Sequence, residues 1–140
     1  MPDVIDYFGT GSDAGDHSFL SNFYQHGNWT VEHHYQAAKT DDPKWASRIL
    51  NAPSPGSAKK LGRKAPMRPT WDNEKVAVML ALLRVKFLWP NLAQHLLDTD
   101  DAMLVEGNWW GDTFWGVCNG VGENHLGRLL MQVREELREV

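Results

Sequence analysis

The chain has 140 residues, of which 42% are apolar, and it carries one cysteine and a net charge of −4. This size and apolar fraction predict a single folded domain over residues 1–140 and argue against disorder. The negative charge disfavours general binding to duplex phosphates, and one cysteine excludes an internal disulfide. The N-terminus has no basic, apolar leader, and no apolar run is long enough to cross a membrane. We therefore expect a cytoplasmic protein.

The first third of the chain predicts one helix preceded by short extended and irregular segments. Residues 4–8 form an apolar run typical of a strand, residues 9–16 predict a loop, and residues 19–24 form a short aromatic segment. Residues 30–39 predict a helix that Thr30 caps at its N-terminus.

At 100° per residue, this helix presents two adjacent stripes. One stripe carries a carboxylate, an amide and an ammonium group, on Glu32, Gln36 and Lys39. The other is suited to face a core and consists of Val31, Tyr35 and Ala38. The segment is therefore expected to be half buried, with a line of polar groups along its margin.

Three further helices are predicted in the middle of the chain. Asp42-Pro43 and Ser54-Pro55 each combine an N-cap residue with proline at the first helical position. The second of these helices should end at Gly62, and residues 63–69 predict a basic loop. The longest helix is expected over residues 71–87, with four core-facing side chains at Val76, Leu80, Leu83 and Phe87.

The last third of the chain predicts two more helices separated by a short strand and a long loop. Pro90 should start one helix, whose apolar face carries Leu92, Leu96 and Leu97. A strand over 103–106, a turn at Gly107-Asn108, an ordered loop over 108–123 and a helix over 124–139 follow, the last with Leu126, Leu130, Val133 and Leu137 on one side. The predicted fold is mainly α-helical with a few short strands.

Most common kinds of catalytic site lack support in this sequence. The adjacent His33 and His34 would point about 100° apart on a helix, and neither metalloprotease nor paired-cysteine spacing occurs. Cys118 has no diagnostic partner for nucleophilic catalysis. The glycines at 120 and 122 precede a helix and are compatible with an anion there, but they favour a plain turn. We therefore expect no catalytic metal.

Carboxylates near aromatic residues remain as candidates for chemistry. Glu32 and Asp112 could act as acids or bases if apolar rings raise their pKa, and a carboxylate also stabilises a sugar cation. Tryptophans could stack on a flat ring, and a basic group could hold phosphate, namely Lys59, Lys60, Arg63 and Arg68. The combination indicates cleavage of a bond between a sugar and a ring nitrogen. A surface acid, packing indoles and a solvated basic loop remain the alternatives.

The series of motifs resembles the NADAR/YbiA-like family of N-glycosidases. The matching segments, in family order, are 21–24, 30–39, Ser54-Pro55, 58–63, Arg68, Trp71, 86–87, 104–106, 112–116 and 122–131. They span nearly the whole chain.

The resemblance implies a single YbiA-like domain that hydrolyses an N-glycosidic bond without metal or organic cofactor. It identifies Glu32, Trp71 and Asp112 as catalytic residues. It implies that the substrate is bound by Asn22, Phe23, Lys39, Arg63, Trp115, Gly116 and Asn124.

The resemblance leaves the substrate open. The phosphorylated ribosylamino-pyrimidine intermediates of riboflavin biosynthesis are one substrate class of the family, and ADP-ribose derivatives, including ADP-ribosylated guanine, are the other. Many members continue the Asp-x-x-Trp-Gly motif with Asp-Gly, whereas Val117-Cys118 stands here. A non-catalytic module that binds ADP-ribose or a nucleotide is a further alternative. The expected partner is a small nucleotide-like molecule, or an ADP-ribosylated nucleic acid, and no membrane.

Overall fold

A computed structural model describes residues 3–10 and 15–140. Within these ranges lie six α-helices: α1 (Val31–Ala38), α2 (Pro43–Leu50), α3 (Pro55–Lys64), α4 (Trp71–Lys86), α5 (Pro90–Leu97) and α6 (His125–Arg138). Four two-residue strands accompany them: β1 (Val4–Ile5), β2 (Met103–Leu104), β3 (Gly107–Asn108) and β4 (Val117–Cys118). The predicted class, mainly α-helical with a few short strands, is confirmed.

The chain divides into two compact units. One is continuous, Asn22–Leu82, and the other combines the residues up to Ser21 with Leu83–Val140. Each unit is described by itself below.

In the unit Asn22–Leu82, helices α1, α2 and α3 begin where the sequence predicts. The hydroxyl of Thr30 accepts a hydrogen bond from the backbone N–H of His33 at 3.0 Å, so Thr30 is the N-cap of α1. The side chains of Asp42 and Ser54 accept from backbone N–H groups in the same way at the starts of α2 and α3. These caps satisfy N–H groups that have no partner within the helix.

Helix α3 does not end at Gly62, as predicted, but continues to Lys64. Gly62 is buried within the helix, and a Cβ atom there would lie 2.0 Å from Oε1 of Gln36. The glycine therefore permits a close approach of another side chain and does not terminate the helix. Arg63 consequently belongs to α3, and the predicted basic loop is shorter than expected.

The side of α4 that faces the core differs in part from the predicted one. Leu83, within the helix, and Phe87, just after it, are buried as expected, but Val76 and Leu80 are only half buried. Met79 is buried instead. Because this helix is apolar on several sides, its periodicity did not determine which side faces the core.

In the other unit, β1 pairs in parallel with β2, with Val4 opposite Met103 and Ile5 opposite Leu104. Both strands are shorter than the predicted segments 4–8 and 103–106. The predicted loop at 9–16 lies partly outside the described residues.

The predicted turn at Gly107-Asn108 is wrong, because these residues form β3 and pair in parallel with β4. A Cβ atom at Gly107 would lie 2.2 Å from the backbone oxygen of Asp6, so close backbone approach explains this glycine. Residue Cys118, in β4, also forms two backbone hydrogen bonds with Val121, at 2.9 and 3.0 Å. The predicted ordered loop therefore contains a short paired segment.

Helices α5 and α6 bury most of the predicted apolar positions, namely Leu92, Leu96, Leu126, Leu130 and Val133. Among the described residues, no single helix is both long and apolar enough for a membrane span. Only α4 and α5 taken together reach that length and composition, and the pair is bent at the break between them.

Candidate active site

The carboxylate of Glu32 lies in the first turn of α1 and is almost completely buried, with 6% of the residue exposed. Its Oε1 accepts a hydrogen bond of 2.7 Å from Nε2 of Gln36, one turn further along the same helix. Burial raises the pKa of Glu32, while this hydrogen bond opposes the rise. The sequence predicted a carboxylate at the margin of the helix, but the structure places it in the interior.

Two lysines and a histidine in the same unit influence this carboxylate. After burial and the Gln36 hydrogen bond, Lys59, Lys39 and His33 are the groups that influence Glu32, and all three lower its pKa. The pKa of Lys39 is itself lowered, first by burial, whereas the negative charge of Glu32 raises it. For both members of this pair, burial and the charge of the other member therefore shift the pKa in opposite directions.

His33 is held in a defined orientation beside Glu32. Its Nδ1 lies 2.7 Å from the hydroxyl of Thr30, and its Nε2 lies 3.0 Å from the backbone oxygen of Ala52. Because a carbonyl oxygen only accepts, Nε2 carries a proton and donates to Ala52. The ring thereby connects α1 to the segment that follows α2.

Lys39 and Trp71 both lie close to the ring of Tyr35. Nζ of Lys39 is 5.6 Å from the ring centroid of Tyr35, and the ring of Trp71 is 5.2 Å from the same centroid. Trp71 is only 2% exposed. Its indole face is thus packed in the interior of the protein, and its predicted catalytic role stays a prediction.

Asn22 and Phe23 flank the same region. The backbone oxygen of Asn22 accepts from the N–H of Glu32 at 3.1 Å, and its Nδ2 contacts the sulfur of Met79 at 3.6 Å. Its buried Oδ1 has no hydrogen-bond donor among the described residues. Nζ of Lys59 lies 5.9 Å from the ring centroid of Phe23. An amide acceptor and a cation are therefore both present close to the start of α1.

The other two basic candidates have different environments. Arg63 is exposed on α3. Arg68 is engaged in contacts within the protein. Its guanidinium donates to the backbone oxygen of Ala38 at 3.2 Å and forms ion pairs with Asp41 and Glu74. Arg68 therefore fixes the segment after α3, and Arg63 is the more available of the two cations.

The remaining predicted site residues belong to the second unit. Oδ1 of Asp112 accepts from the backbone N–H groups of Phe114 and Trp115, at 3.1 and 2.9 Å. Asn108 donates to the backbone oxygen of Asp112 and accepts from its N–H. Asp112 thus shapes the loop between β3 and β4, and Trp115 is half buried in it.

Structural contacts also explain why glycine occurs at position 116 and asparagine at position 124. A Cβ atom at Gly116 would lie 2.1 Å from the backbone oxygen of Glu106. The buried side chain of Asn124 donates to the backbone oxygen of Leu104 at 2.9 Å and accepts from the N–H of Glu106 at 3.0 Å. Asn124 therefore fixes the start of α6, whereas Gly116 allows the close approach of Glu106, and their predicted contacts with substrate stay predictions.

The predicted site thus falls into two groups, which the structure describes in separate units. Asn22, Phe23, Glu32, Lys39, Arg63 and Trp71 are in one, and Asp112, Trp115, Gly116 and Asn124 are in the other. The sequence analysis placed Gln36 in the polar line of α1 but named neither Gln36 nor Gly62 among the candidate site residues. The spacing of four residues between Glu32 and Gln36 was a signal for the first.

No group of three or more histidine, cysteine, aspartate and glutamate side chains is placed to hold a metal ion in the part of the chain that is described. Independence from metal stays a prediction, which is tested below.

Comparisons with known proteins agree with this fold. Residues 7–138 match the NADAR domain family. The NMR structure of the Escherichia coli protein YbiA superposes with a TM-score of 0.82 at 37% identity, covering 99% of this chain and 88% of YbiA.

Two sequence relatives have names that state a function. The N-glycosidase YbiA of Shigella flexneri is 40% identical over 145 residues, 96% of this chain and 88% of that protein. A riboflavin biosynthesis protein of Vibrio vulnificus is 42% identical over 135 residues, which cover 89% of this chain. The present chain spans only 36% of the Vibrio protein.

Proposed function

The chain belongs to the NADAR domain family, and from this premise we propose that it is an N-glycosidase whose general base or electrostatic catalyst is Glu32. The substrate we propose is a ribose phosphate joined through nitrogen to a heteroaromatic ring or amine, such as a phosphorylated ribosylamino-pyrimidine intermediate of riboflavin biosynthesis. The relatives named N-glycosidase and riboflavin biosynthesis protein support this choice. The observation that carries the proposal is the buried carboxylate of Glu32 among cationic side chains.

Hydrolysis of an N-glycosidic bond needs the two functions that such a carboxylate can supply. As the bond between C1 of the ribose and nitrogen breaks, positive charge develops on the sugar ring, and a negative group beside it lowers the barrier. Water then adds its oxygen to C1, and its proton passes through the carboxylate to the departing nitrogen. Because burial raises the pKa of Glu32, its carboxylate is a stronger base than an exposed one.

The charges around Glu32 favour a phosphorylated substrate. Burial is the largest cause of the lowered pKa of Lys39, and three cations in the same unit, Lys59, Arg63 and Lys75, lower it further. Clusters of this kind bind phosphate through charge-assisted hydrogen bonds. A phosphate bound here would offset the repulsion among them.

Asn22 is proposed to bind a sugar hydroxyl. Its Oδ1 lacks a donor among the described residues, and a buried acceptor without a partner is costly. A ribose hydroxyl would supply that donor close to the start of α1. By the family resemblance, Asp112 is also proposed as a catalytic residue, and Trp115, Gly116 and Asn124 are proposed as substrate-binding residues.

A second substrate class is favoured by the number of cations. A pyrophosphate carries more charge than a single phosphate, and the cluster around Lys39 would also suit the pyrophosphate of an ADP-ribose group attached to guanine or to a protein. A module that only binds ADP-ribose would gain nothing from the negative charge of Glu32. We propose a small nucleotide-like substrate for the first class, an ADP-ribosylated nucleic acid or protein for the second, and the cytoplasm as the location in either case.

The experiment offers the purified protein three compounds: the ribosylamino-pyrimidine phosphate, ADP-ribosylated guanine in DNA, and free ADP-ribose. Mass spectrometry then detects the released base or amine and the sugar phosphate. We expect release from the first compound, and a fall in kcat of about 10²-fold or more for Glu32→Gln, which keeps the side-chain size but removes the charge.

Two results would overturn the proposal. One is binding of ADP-ribose without release from any compound, and the other is near-normal turnover by folded Glu32→Gln. The exposed acid Glu135 provides a matched control, since Glu135→Gln removes a charge from the surface of α6 and should leave turnover unchanged.

A further inference from the structure

The side chain of Gln36 lies between the carboxylate of Glu32 and the backbone of Gly62. We propose that Gln36, kept in place by Gly62, is a positioning residue that fixes the orientation and ionisation of Glu32 for catalysis. This inference rests on the proposed role of Glu32 in hydrolysis and adds two residues to the site.

The contact between Gln36 and Glu32 is short and shielded from solvent. Nε2 of Gln36 donates to Oε1 of Glu32 at 2.7 Å, and Gln36 is only 3% exposed. The two residues are one helical turn apart, so α1 holds both in register. With Oε1 engaged by the amide, the second oxygen of Glu32 is left for water or for the sugar cation.

Gly62 limits where the amide of Gln36 can lie. A Cβ atom at position 62 would be 2.0 Å from Oε1, 2.8 Å from Cδ and 3.1 Å from Cβ of Gln36. The whole side chain of Gln36 therefore lies against the bare backbone of α3. Glycine inside a helix is less favourable than alanine, and the close approach of Gln36 explains why glycine occurs at this position.

The hydrogen-bonding pattern favours one orientation of the amide. Oε1 of Gln36 accepts no hydrogen bond from the described residues, whereas its NH₂ group faces the carboxylate. Turning the amide over would bring two oxygens together, which is repulsive when Glu32 is ionised. The observed orientation therefore stabilises the negative form of Glu32.

Loss of this donor has a defined electrostatic consequence. Burial raises the pKa of Glu32, and four groups oppose it: the Gln36 hydrogen bond first, then Lys59, Lys39 and His33. Removing the hydrogen bond leaves burial less opposed, so the pKa of Glu32 rises further. A base with a higher pKa loses its ionised form at a higher pH.

The direct test replaces Gln36 by methionine, which is similar in shape but cannot donate. We expect Gln36→Met to lower kcat by about tenfold, the scale for groups that orient a reacting one, with little change in KM. We also expect the acid limb of the pH–rate profile to move to higher pH. Side-chain ¹³C NMR should show a higher titration midpoint for the carboxyl group of Glu32.

Glycine substitutions in α3 provide a matched pair. Gly62→Ala should displace Gln36 and reproduce the shift of the acid limb. Gly56→Ala lies on the same helix, but its Cβ would meet only Oγ of Ser54 at 3.8 Å, so it should behave as wild type. If Gly62→Ala alone does not fold, the double variant Gln36→Ala with Gly62→Ala should recover stability, because the contacts at 2.0 and 2.8 Å are removed and only the 3.1 Å contact with Cβ of residue 36 remains.

The NMR titration separates this inference from the proposed function, since it needs no turnover. An active wild type whose Glu32 midpoint is the same in folded Gln36→Met overturns the inference and leaves the function intact. A wild type that cleaves none of the three compounds overturns the function. In that case a raised Glu32 titration midpoint in Gln36→Met still supports the control of Glu32 by Gln36. An unchanged midpoint would overturn both the proposed function and the inference about Gln36.

Discussion

The rings of Tyr35 and Trp71 lie 5.2 Å apart between centroids, with their planes inclined by 58°. Tyr35 belongs to α1 and Trp71 is the first residue of α4, so this contact joins two helices of the unit Asn22–Leu82. Both residues are buried. The indole of Trp71 is therefore part of the packing that supports the helix carrying Glu32.

Substitution of Trp71 should accordingly affect stability first. Trp71→Ala should cost about 3–5 kcal/mol of unfolding free energy, as for other buried aromatic residues, and Trp71→Phe should cost less. Urea denaturation measures both values. Trp110 is 52% exposed, so Trp110→Ala serves as the control and should change stability little. A stable Trp71→Ala that loses substrate affinity would instead make Trp71 a stacking surface, worth about 1–3 kcal/mol per ring.

Asn124 should also behave as a structural residue. Its amide bridges two backbone groups, at Leu104 and Glu106, and its backbone has a positive φ of 54°. Asn124→Ala removes both hydrogen bonds and places alanine in a left-handed conformation, so we expect a loss of about 1–3 kcal/mol. Asn124→Asp retains the acceptor and should lose less. An unchanged melting temperature for Asn124→Ala, together with a raised KM, would contradict this and favour direct substrate binding.

Lys86 gives a prediction about pH. Its side chain is buried, Nζ donates to the backbone oxygen of Ser21 at 2.9 Å, and burial lowers its pKa to about 7. In the unfolded chain a lysine has a pKa of about 10.4. Between about pH 7 and pH 10 the unfolded state therefore binds more protons, and this residue's contribution to stability becomes more favourable as pH rises.

The comparison that isolates this effect is with Lys86→Met. Relative to this variant, the wild type should gain stability from pH 7 to pH 10, by at most about 1.4 kcal/mol per pH unit, and the difference should be constant below pH 7. Urea unfolding at several pH values measures it. Lys60 is exposed on α3, so the corresponding curve for Lys60→Met should be flat. A flat difference for Lys86→Met as well would show that Lys86 is not neutral in the folded protein at high pH.

Catalysis should not depend on a metal ion. The described residues provide no cluster of three metal-ligating side chains, and the proposed chemistry needs only a carboxylate and water. Activity should therefore survive dialysis against EDTA. Loss of activity that zinc or magnesium restores would contradict the proposed mechanism.

The parts of this fold that follow from local chemistry were predictable. The caps at Thr30, Asp42 and Ser54 depend on hydrogen bonds to N–H groups two or three residues away, so a short segment contains all the information. The burial of Val31 and Tyr35 also follows from the helical repeat.

Contacts between distant segments explain the failures. Gly62 was predicted to end a helix, but glycine is required there because the side chain of Gln36, on another helix, packs against it. Gly107 was predicted to form a turn, but glycine is required there because the backbone of Asp6 lies too close for a side chain. For Glu32 the sequence indicated a candidate carboxylate, and only packing could show that it is buried and paired with Gln36.

The single thiol of the chain, Cys118, is half buried in β4, where its backbone pairs with β3 and with Val121. A thiol reagent must wait for this segment to open before it can react fully, so the labelling rate reports the local opening equilibrium. No other cysteine has to be removed for such an experiment. Labelling rates with and without substrate would therefore show, in the unmodified sequence, whether substrate binding reduces local opening next to the loop that carries Asp112 and Trp115.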